Sequence, residues 1–409
     1  MKSFRDGSRA VNYDRIRDLL KKHGLAAVIG TSPENIRYAS GHECFQGVWN
    51  RFPKAVIVTA TSDRPILVLP IGEIGFIVDR GFDKTSDLYF FGSNNVVVDD
   101  RAALEGAERW IFETGAGSHP GMPAAFAAAL RDHVPSGRIA VDRTGASEIY
   151  DILRSLDTSS EFVDRGEDFW RIARMVKTKG EIASLERAVA LNQAAIDTVH
   201  AQLGLRSERE LAAVYAATVC AGGGFVQHWS GATGATAGSF RDHTDRAPST
   251  GDRFRFDCGL VLDGYCSDIG GTAQVGAEPS ADEKRIYAAL TAGIDEALSF
   301  IRPGVKTTQI YERVIAAVQK GGLPDYRYSL VGHGIGIEPR DYPVIAGPIR
   351  AASPFWEAPY DIVVEEDMIL NIECPLNILG RGGYQHEVTL AVQSDGTRLL
   401  SQRRPYRVV

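Results

Sequence analysis

The stretch from Arg253 to Asp268 constrains the fold more than any other part of the chain. It reads Arg253-Phe254-Arg255-Phe256-Asp257-Cys258-Gly259-Leu260-Val261-Leu262, then Asp263-Gly264, then Tyr265-Cys266-Ser267-Asp268. Asp-Gly between two apolar runs is a preferred dipeptide of the two-residue hairpin turn. Folding the chain there pairs Leu262 with Tyr265 and, counting back, Gly259 with Asp268. Side chains alternate along a strand, so Asp257 shares a face with Gly259. Asp257 and Asp268 then stand diagonally across the two strands on one face, about 7–8 Å apart at the backbone.

Two carboxylates in that relation repel unless a shared proton or a divalent cation neutralises them. Gly259, opposite Asp268, leaves volume for a guest. The alternative is a solvated hairpin with two surface acids. The flanking Phe254, Phe256, Leu260 and Leu262 favour burial, and with it the cation.

A chain of 409 residues is long for one core, so two domains are expected. The first third alternates helix-like and strand-like segments: a helix from Asp14 to His23, strands at 26–29, 55–58 and 66–69, a helix over 124–132 after Pro123, and a strand at 138–141. Such alternation implies an α/β domain with a mixed or parallel sheet. A charged stretch, Arg171 to Arg187, follows, and Met175 to Glu181 reads as a linker entering a long amphipathic helix that Gly204 stops. The boundary falls near 165–178, giving domains 1–170 and 171–409, the second with helices over 181–203, 207–220, 282–301 and 307–321.

The net charge of −7 argues against a generic nucleic-acid binder. No apolar run reaches the roughly 20 residues of a membrane helix. The polar start Met1 to Asp6 has no signal core behind it, so a cytoplasmic location is expected. Five scattered cysteines, Cys44, Cys220, Cys258, Cys266 and Cys374, then read as reduced, buried thiols. Cys258 and Cys266 have no Cys-x-x-Cys partners for a structural zinc site. The glycine-rich segments 222–224 and 231–238 lack the strand–GxGxxG–helix setting of a dinucleotide loop and suit a flexible pocket loop better.

Three further residues carry chemistry. His333 lies between glycines in Val331-Gly332-His333-Gly334-Ile335-Gly336, where backbone approaches closely from both sides. Glu373 sits in the apolar strand 368–375 and Glu387 in the strand 384–392. Each is costly there unless paired, metal-bound or turned to a solvated face. Two Asp, one His and two Glu form a hard, oxygen-rich set suited to a pair of Mn²⁺, Fe²⁺, Co²⁺ or Zn²⁺ ions. Two such ions roughly 3.5–4 Å apart polarise a carbonyl and activate water.

At these residues the chain resembles the pita-bread metallopeptidase family of aminopeptidase P, prolidase, methionine aminopeptidase and creatinase. The hairpin follows the family's Asp, Gly, Gly-Tyr, Ser-Asp pattern, His333 its Gly-His-Gly-x-Gly motif, Glu373 its Glu-x-Pro motif and Glu387 its final acidic strand. Asn35 to Gly41 looks like the start of the creatinase-type N-terminal domain. The resemblance implies an α+β architecture, a creatinase-like α/β domain before a pita-bread domain. It implies two divalent ions, with Asp257 on one, Asp268 and Glu387 bridging, and His333 and Glu373 on the other. Glu373 would double as proton shuttle. It also implies a homodimer, with manganese among the ions accepted. The function implied is hydrolysis of an amide bond, most simply in an Xaa-Pro dipeptide or short peptide. Rivals are hydrolysis of an ectoine- or creatine-like metabolite, a metal-dependent lyase reaction, and a non-catalytic binding module; the intact ligand set argues against the last.

Departures from the family pattern define further expectations. After the second Asp the family's peptidases usually read Thr-Arg-Thr; this chain has Gly270-Gly271-Thr272 and lacks an arginine to support the ligands. A second family His, seven residues after the first, is replaced by Arg340, followed by Asp341. Arg340 is suited to clamp a substrate carboxylate, or else lies on a surface loop. For the family's substrate-contacting, catalytic His, His243 is favoured by position and His228 is the other choice. By the same resemblance to creatinase-like dimers, Trp49 and Arg51 are expected to reach a neighbouring subunit's active site, or else are a packed Trp and a surface Arg.

Overall fold

A computed structural model describes residues 11–42, 52–93, 96–99, 101–134, 136–347, 361–403 and 406–409. Trp49, Arg51 and Cys44 lie outside them. The chain forms two units, Met1–Ala173 and Arg174–Val409.

The first unit runs α1 (Tyr13–Lys22), β1 (Ala27–Gly30), α2 (Pro33–Ser40), β2 (Ala55–Thr59), β3 (Ile66–Pro70), α3 (Ile74–Asp79), β4 (Asp87–Phe91), α4 (Gly106–Ala116), α5 (Met122–His133), β5 (Ser136–Val141), α6 (Ser147–Ser155), β6 (Ser159–Asp164) and α7 (Gly166–Arg174), whose last residue opens the second unit. The strand order is β4-β3-β2-β1-β5-β6. β1–β2 and β2–β3 are antiparallel, while β1–β5, β3–β4 and β5–β6 are parallel. The sheet is thus mixed, as its α/β alternation predicts. Its central strands are unbroken apolar runs because helices cover them: Phe126, Ala129 and Leu130 of α5 and Ile149 and Leu153 of α6 pack on Ile29, Ile57, Val68 and Val141.

The second unit continues with α8 (Lys179–His200), α9 (Glu208–Ala221), β7 (Phe225–Thr233), β8 (Arg253–Leu262), β9 (Tyr265–Gln274), α10 (Ala281–Phe300), α11 (Thr307–Lys320), β10 (Leu330–Gly334), β11 (Asp341–Ala346), β12 (Ile369–Ile378), β13 (Gly382–Gln393), β14 (Gly396–Leu399) and β15 (Arg407–Val408). Capping boxes at Thr178/Glu181, Ser207/Glu210 and Ser280/Glu283 start α8, α9 and α10 by satisfying their first backbone N–H groups. Met175 to Glu181 is not a free tether: Val176 bridges to Met368, Lys177 is buried, and its N–H donates to Asp367 O at 3.0 Å. Cys258, Cys266 and Cys374 are buried free thiols, whereas Cys220 is exposed, against the expectation that it is buried.

Two sheets organise this unit, in the orders β15-β9-β8-β7 and β11-β10-β12-β13-β14. The β8–β9 register pairs Leu262 with Tyr265 and Gly259 with Asp268, as the turn predicts. Both turn residues take positive φ, 48° at Asp263 and 77° at Gly264, the twist a two-residue hairpin needs. The outer face of the hairpin, Phe254, Phe256, Cys258 and Leu260, packs on Ile196, Val199 and Tyr215 of α8 and α9. The inner face meets β13: Gln385 N donates to Thr272 Oγ1 at 2.8 Å, and Thr272 Oγ1 to Gln385 O at 3.2 Å.

Candidate metal centre

Between these sheets the alternation of strand side chains gathers the acids. β8 and β9 bring Asp257 and Asp268, and β12 and β13 bring Glu373 and Glu387 as directly opposed partners. Like charges so placed destabilise a sheet unless something neutralises them. One oxygen from each of Asp257, Glu373 and Glu387 lies within 4.8 Å of the others, and the same holds for one ligand atom each of His228, Asp257 and Asp268. His333, on β10, places Nε2 3.8 Å from Asp268 Oδ2. Its Nδ1 lies 3.0 Å from Gly334 O; with Nδ1–H donating there, the Nε2 lone pair faces the acids.

Arg255 and the His228 imidazole are the cations beside four acids here. Burial, then the charges of Asp257 and Asp268, push Glu373 up to about 8. Burial and the same two acids raise Glu387 well above the carboxylate range. Burial works against ionisation of Asp257 too, but hydrogen bonding and charge from His228, with help from Arg255 and Gln385, hold it at about 2. Asp268 Oδ1 is buried and accepts no hydrogen bond. An orphaned carboxylate oxygen among crowded acids, with an imidazole lone pair aimed at them, fits divalent cations.

Arg255 was not singled out from the sequence, although it lies two residues before Asp257 and therefore on the same face. It is buried within an aromatic run. Its Nε and Nη2 donate to Gln385 Oε1 at 3.1 and 2.8 Å. This fixes the Gln385 amide so that Nε2 donates to Glu387 Oε2 at 2.7 Å and to Asp257 Oδ2 at 3.2 Å. Arg255 Nη2 itself lies 3.6 Å from Asp257 Oδ2. The arginine missing from position 271 vacates nothing on this face, because Gly271 faces the Phe256 ring. Gly270 does face the acids, and a side chain there would stand 2.1 Å from both Gln385 Nε2 and Glu387 Oε2. Asn371 completes the support, donating to Glu387 Oε1 at 2.5 Å.

The substrate-residue expectations divide. His228 Nε2 lies 3.0 Å from Asp257 Oδ1 and 3.3 Å from Asp268 Oδ1. His243 is half-buried on the loop between β7 and β8 and acts electrostatically on Asp245; it joins neither ligand group among the described residues. Arg340 is exposed, and its charge reaches both Glu373 and His333. Asp341 beside it is fully buried. Arg174 donates to Asp341 Oδ1 from Nε and Nη2 at 3.2 and 3.1 Å and to Glu338 Oε1 at 2.5 Å, and Lys177 Nζ lies 3.7 Å from Asp341 Oδ2. Asp341 thus anchors the segment that carries Arg340.

Comparison with known proteins decides the lineage. Residues 183–394 match metallopeptidase family M24. The chain belongs to that family. Over 239 residues it is 32% identical to a probable dipeptidase PepE of Mycobacterium bovis, covering 56% of this chain and 59% of that protein. The matched region thus spans less than two thirds of that M24 relative's length. Among solved structures, an Xaa-Pro dipeptidase from Bacillus anthracis superposes with a TM-score of 0.75 at 19% identity, covering 97% of this chain and 98% of that one. A dipeptidase PepE from Mycobacterium ulcerans superposes with a TM-score of 0.70 at 23% identity over 97% and 96%. These likenesses establish the pita-bread fold of the M24 enzymes. No helix among the described residues is long and apolar enough to cross a membrane.

Proposed function

We propose that this M24 protein is a metal-dependent hydrolase of a peptide amide bond, of the Xaa-Pro dipeptidase type, acting on dipeptides or short peptides as a homodimer. The observation that carries the reading is the convergence of Asp257, Asp268, His333, Glu373 and Glu387 from separate strands, with too little protein charge to balance them. Two divalent ions held by these residues, manganese or another of the ions such ligands accept, would polarise the scissile carbonyl and activate water.

The chain's own groups would do the rest. Glu373, beside the attacking water, would take up its proton and return it to the leaving amine. Arg255 and Gln385 keep Asp257 and Glu387 oriented. Arg340, free of ion pairs among the described residues, would pair with the carboxylate of a short substrate. A cleft of about 410 Å³ lined by Tyr326, Tyr328 and Pro375 lies along the strand from Glu373, within the size range of small-ligand sites. The names of the dipeptidase relatives support the same substrate class.

The test is a substrate panel on metal-loaded protein: Xaa-Pro dipeptides, other dipeptides, their C-terminal amides, cyclic amidines and N-acyl amino acids. Cleavage of dipeptides with a free carboxylate, weakened by amidation, is expected. Turnover confined to the amidines or N-acyl amino acids would overturn the peptide reading.

A further inference from the structure

We propose that His228 is a sixth metal ligand, binding the ion held by Asp257 and Asp268. The inference rests on the metal reading above and extends it to a residue outside the five-ligand set.

The backbone is built to deliver this side chain. β7 pairs Val226 with Leu260 and His228 with Gly259, so Gln227 is an extra residue bulged out of the ladder. Bulges re-aim side chains next to active sites. Here the bulge turns both Gln227 and His228 onto the face of Asp257. A side chain at Gly259 would lie 2.5 Å from His228 Cε1 and Nδ1 and 2.7 Å from Gln227 Oε1. The gap that Gly259 leaves opposite Asp268 is therefore filled by this imidazole and its neighbour.

The distances match a coordination polyhedron. Nitrogen and oxygen ligands sit about 2.1 Å from such an ion, which puts adjacent ligand atoms about 3.0 Å apart in an octahedral shell and about 3.4 Å apart in a tetrahedral one. His228 Nε2 lies 3.0 Å from Asp257 Oδ1 and 3.3 Å from Asp268 Oδ1. The ring's other nitrogen, Nδ1, is 2.6 Å from Gln227 Oε1. An amide oxygen there holds the Nδ1 proton, so a cation that displaces the Nε2 proton, which the two acids favour in its absence, meets a lone pair, the arrangement found behind metal-ligating histidines. A lone pair facing two carboxylate oxygens is repulsive without a cation between them. A proton on Nε2 would serve one carboxylate and leave the other, and Asp268 Oδ1 is the oxygen left without a hydrogen bond.

The centre then acquires a two-sided form. Asp268 presents Oδ1 to His228 and Oδ2 to His333, as a carboxylate bridging two ions would if each ion carried one imidazole. A nitrogen ligand on both ions moves preference towards zinc and cobalt over magnesium and calcium.

The test uses the full-length protein. X-ray absorption of the zinc-loaded wild type should show outer-shell scattering from one imidazole per zinc; half that value, one imidazole per pair, overturns the proposal without any variant. Calorimetric titration of the metal-free protein with Co²⁺ gives the second readout. His228→Ala should lower the affinity of one of two cobalt equivalents at least tenfold, and His333→Ala that of the other. If His228→Ala keeps both affinities and the cobalt absorption spectrum while only KM rises, His228 touches substrate and the proposal fails. A wild type that binds no Co²⁺ or zinc defeats this inference and the metal reading beneath it together.

Discussion

The second unit buries two groups of charged side chains and treats them in opposite ways. In the first, Arg174 and Lys177 stand against Asp341, Glu338 and Glu181, so cations and anions meet inside the protein. In the second, Asp257, Asp268, Glu373 and Glu387 crowd together, with only Arg255 and the His228 imidazole beside them. A cluster that holds both signs needs no outside charge and holds structure in place. An overcharged cluster must take up protons or be completed by a cation from outside. The contrast separates scaffold from site more firmly than burial does, since both groups are buried.

Removing an acid should therefore act in opposite directions in the two clusters. Asp341→Ala removes the acid shared by two buried cations, leaving Arg174 with Glu338 alone and Lys177 with Glu181, and should cost about 3 kcal/mol of unfolding free energy. Glu373→Gln relieves crowding and should stabilise the metal-free protein by on the order of 1 kcal/mol. Urea titration of both variants without metal checks this, and losses of equal size would erase the distinction between the clusters. A second effect sharpens it from the cation side: Arg255→Met frees Gln385 to rotate away from Glu387 and Asp257. Metal affinity should drop about 10–100-fold by calorimetry, the usual cost of losing a residue that orients ligands, with the fold intact by circular dichroism.

Arg340 belongs to neither cluster but is carried beside the balanced one and felt by the other. Arg340→Ala should raise KM for free dipeptides about tenfold, a lost charge-assisted hydrogen bond being worth roughly 1.5–3 kcal/mol, and leave C-terminally amidated substrates unaffected. The smallest effect comes from Glu181, where burial, partly offset by Lys177 and Thr178, lifts the carboxyl from 4.5 to about 7. Its folded pKa is raised, so its contribution to stability is fully present below about 4.5 and is lost as pH rises through about 7. In metal-loaded protein, the urea midpoint of the wild type should fall across that window more steeply than that of Glu181→Gln.

What the sequence disclosed follows from how local each determinant is. Asp263-Gly264 carries its own turn geometry, so the β8–β9 register and the shared face of Asp257 and Asp268 could be counted out residue by residue. Arg255 is within reach of the same counting, two positions from Asp257, whereas the family pattern points to the arginine absent at 271, on the other face. The place of His228 beside Asp257 depends on the bulge at Gln227, which no residue type announces. The direct opposition of Glu373 and Glu387 depends on the β12–β13 register, and Asp341's role depends on Arg174 and Lys177 arriving from far upstream. Neither is a property of neighbouring residues.

The most direct test is the number of divalent ions held at saturation by the purified full-length protein, measured by elemental analysis beside Asp268→Ala. Two ions per chain in the wild type, and none in the variant, are what the unbalanced acids require. A wild type that keeps its fold and its activity with no bound metal would contradict the account at its root.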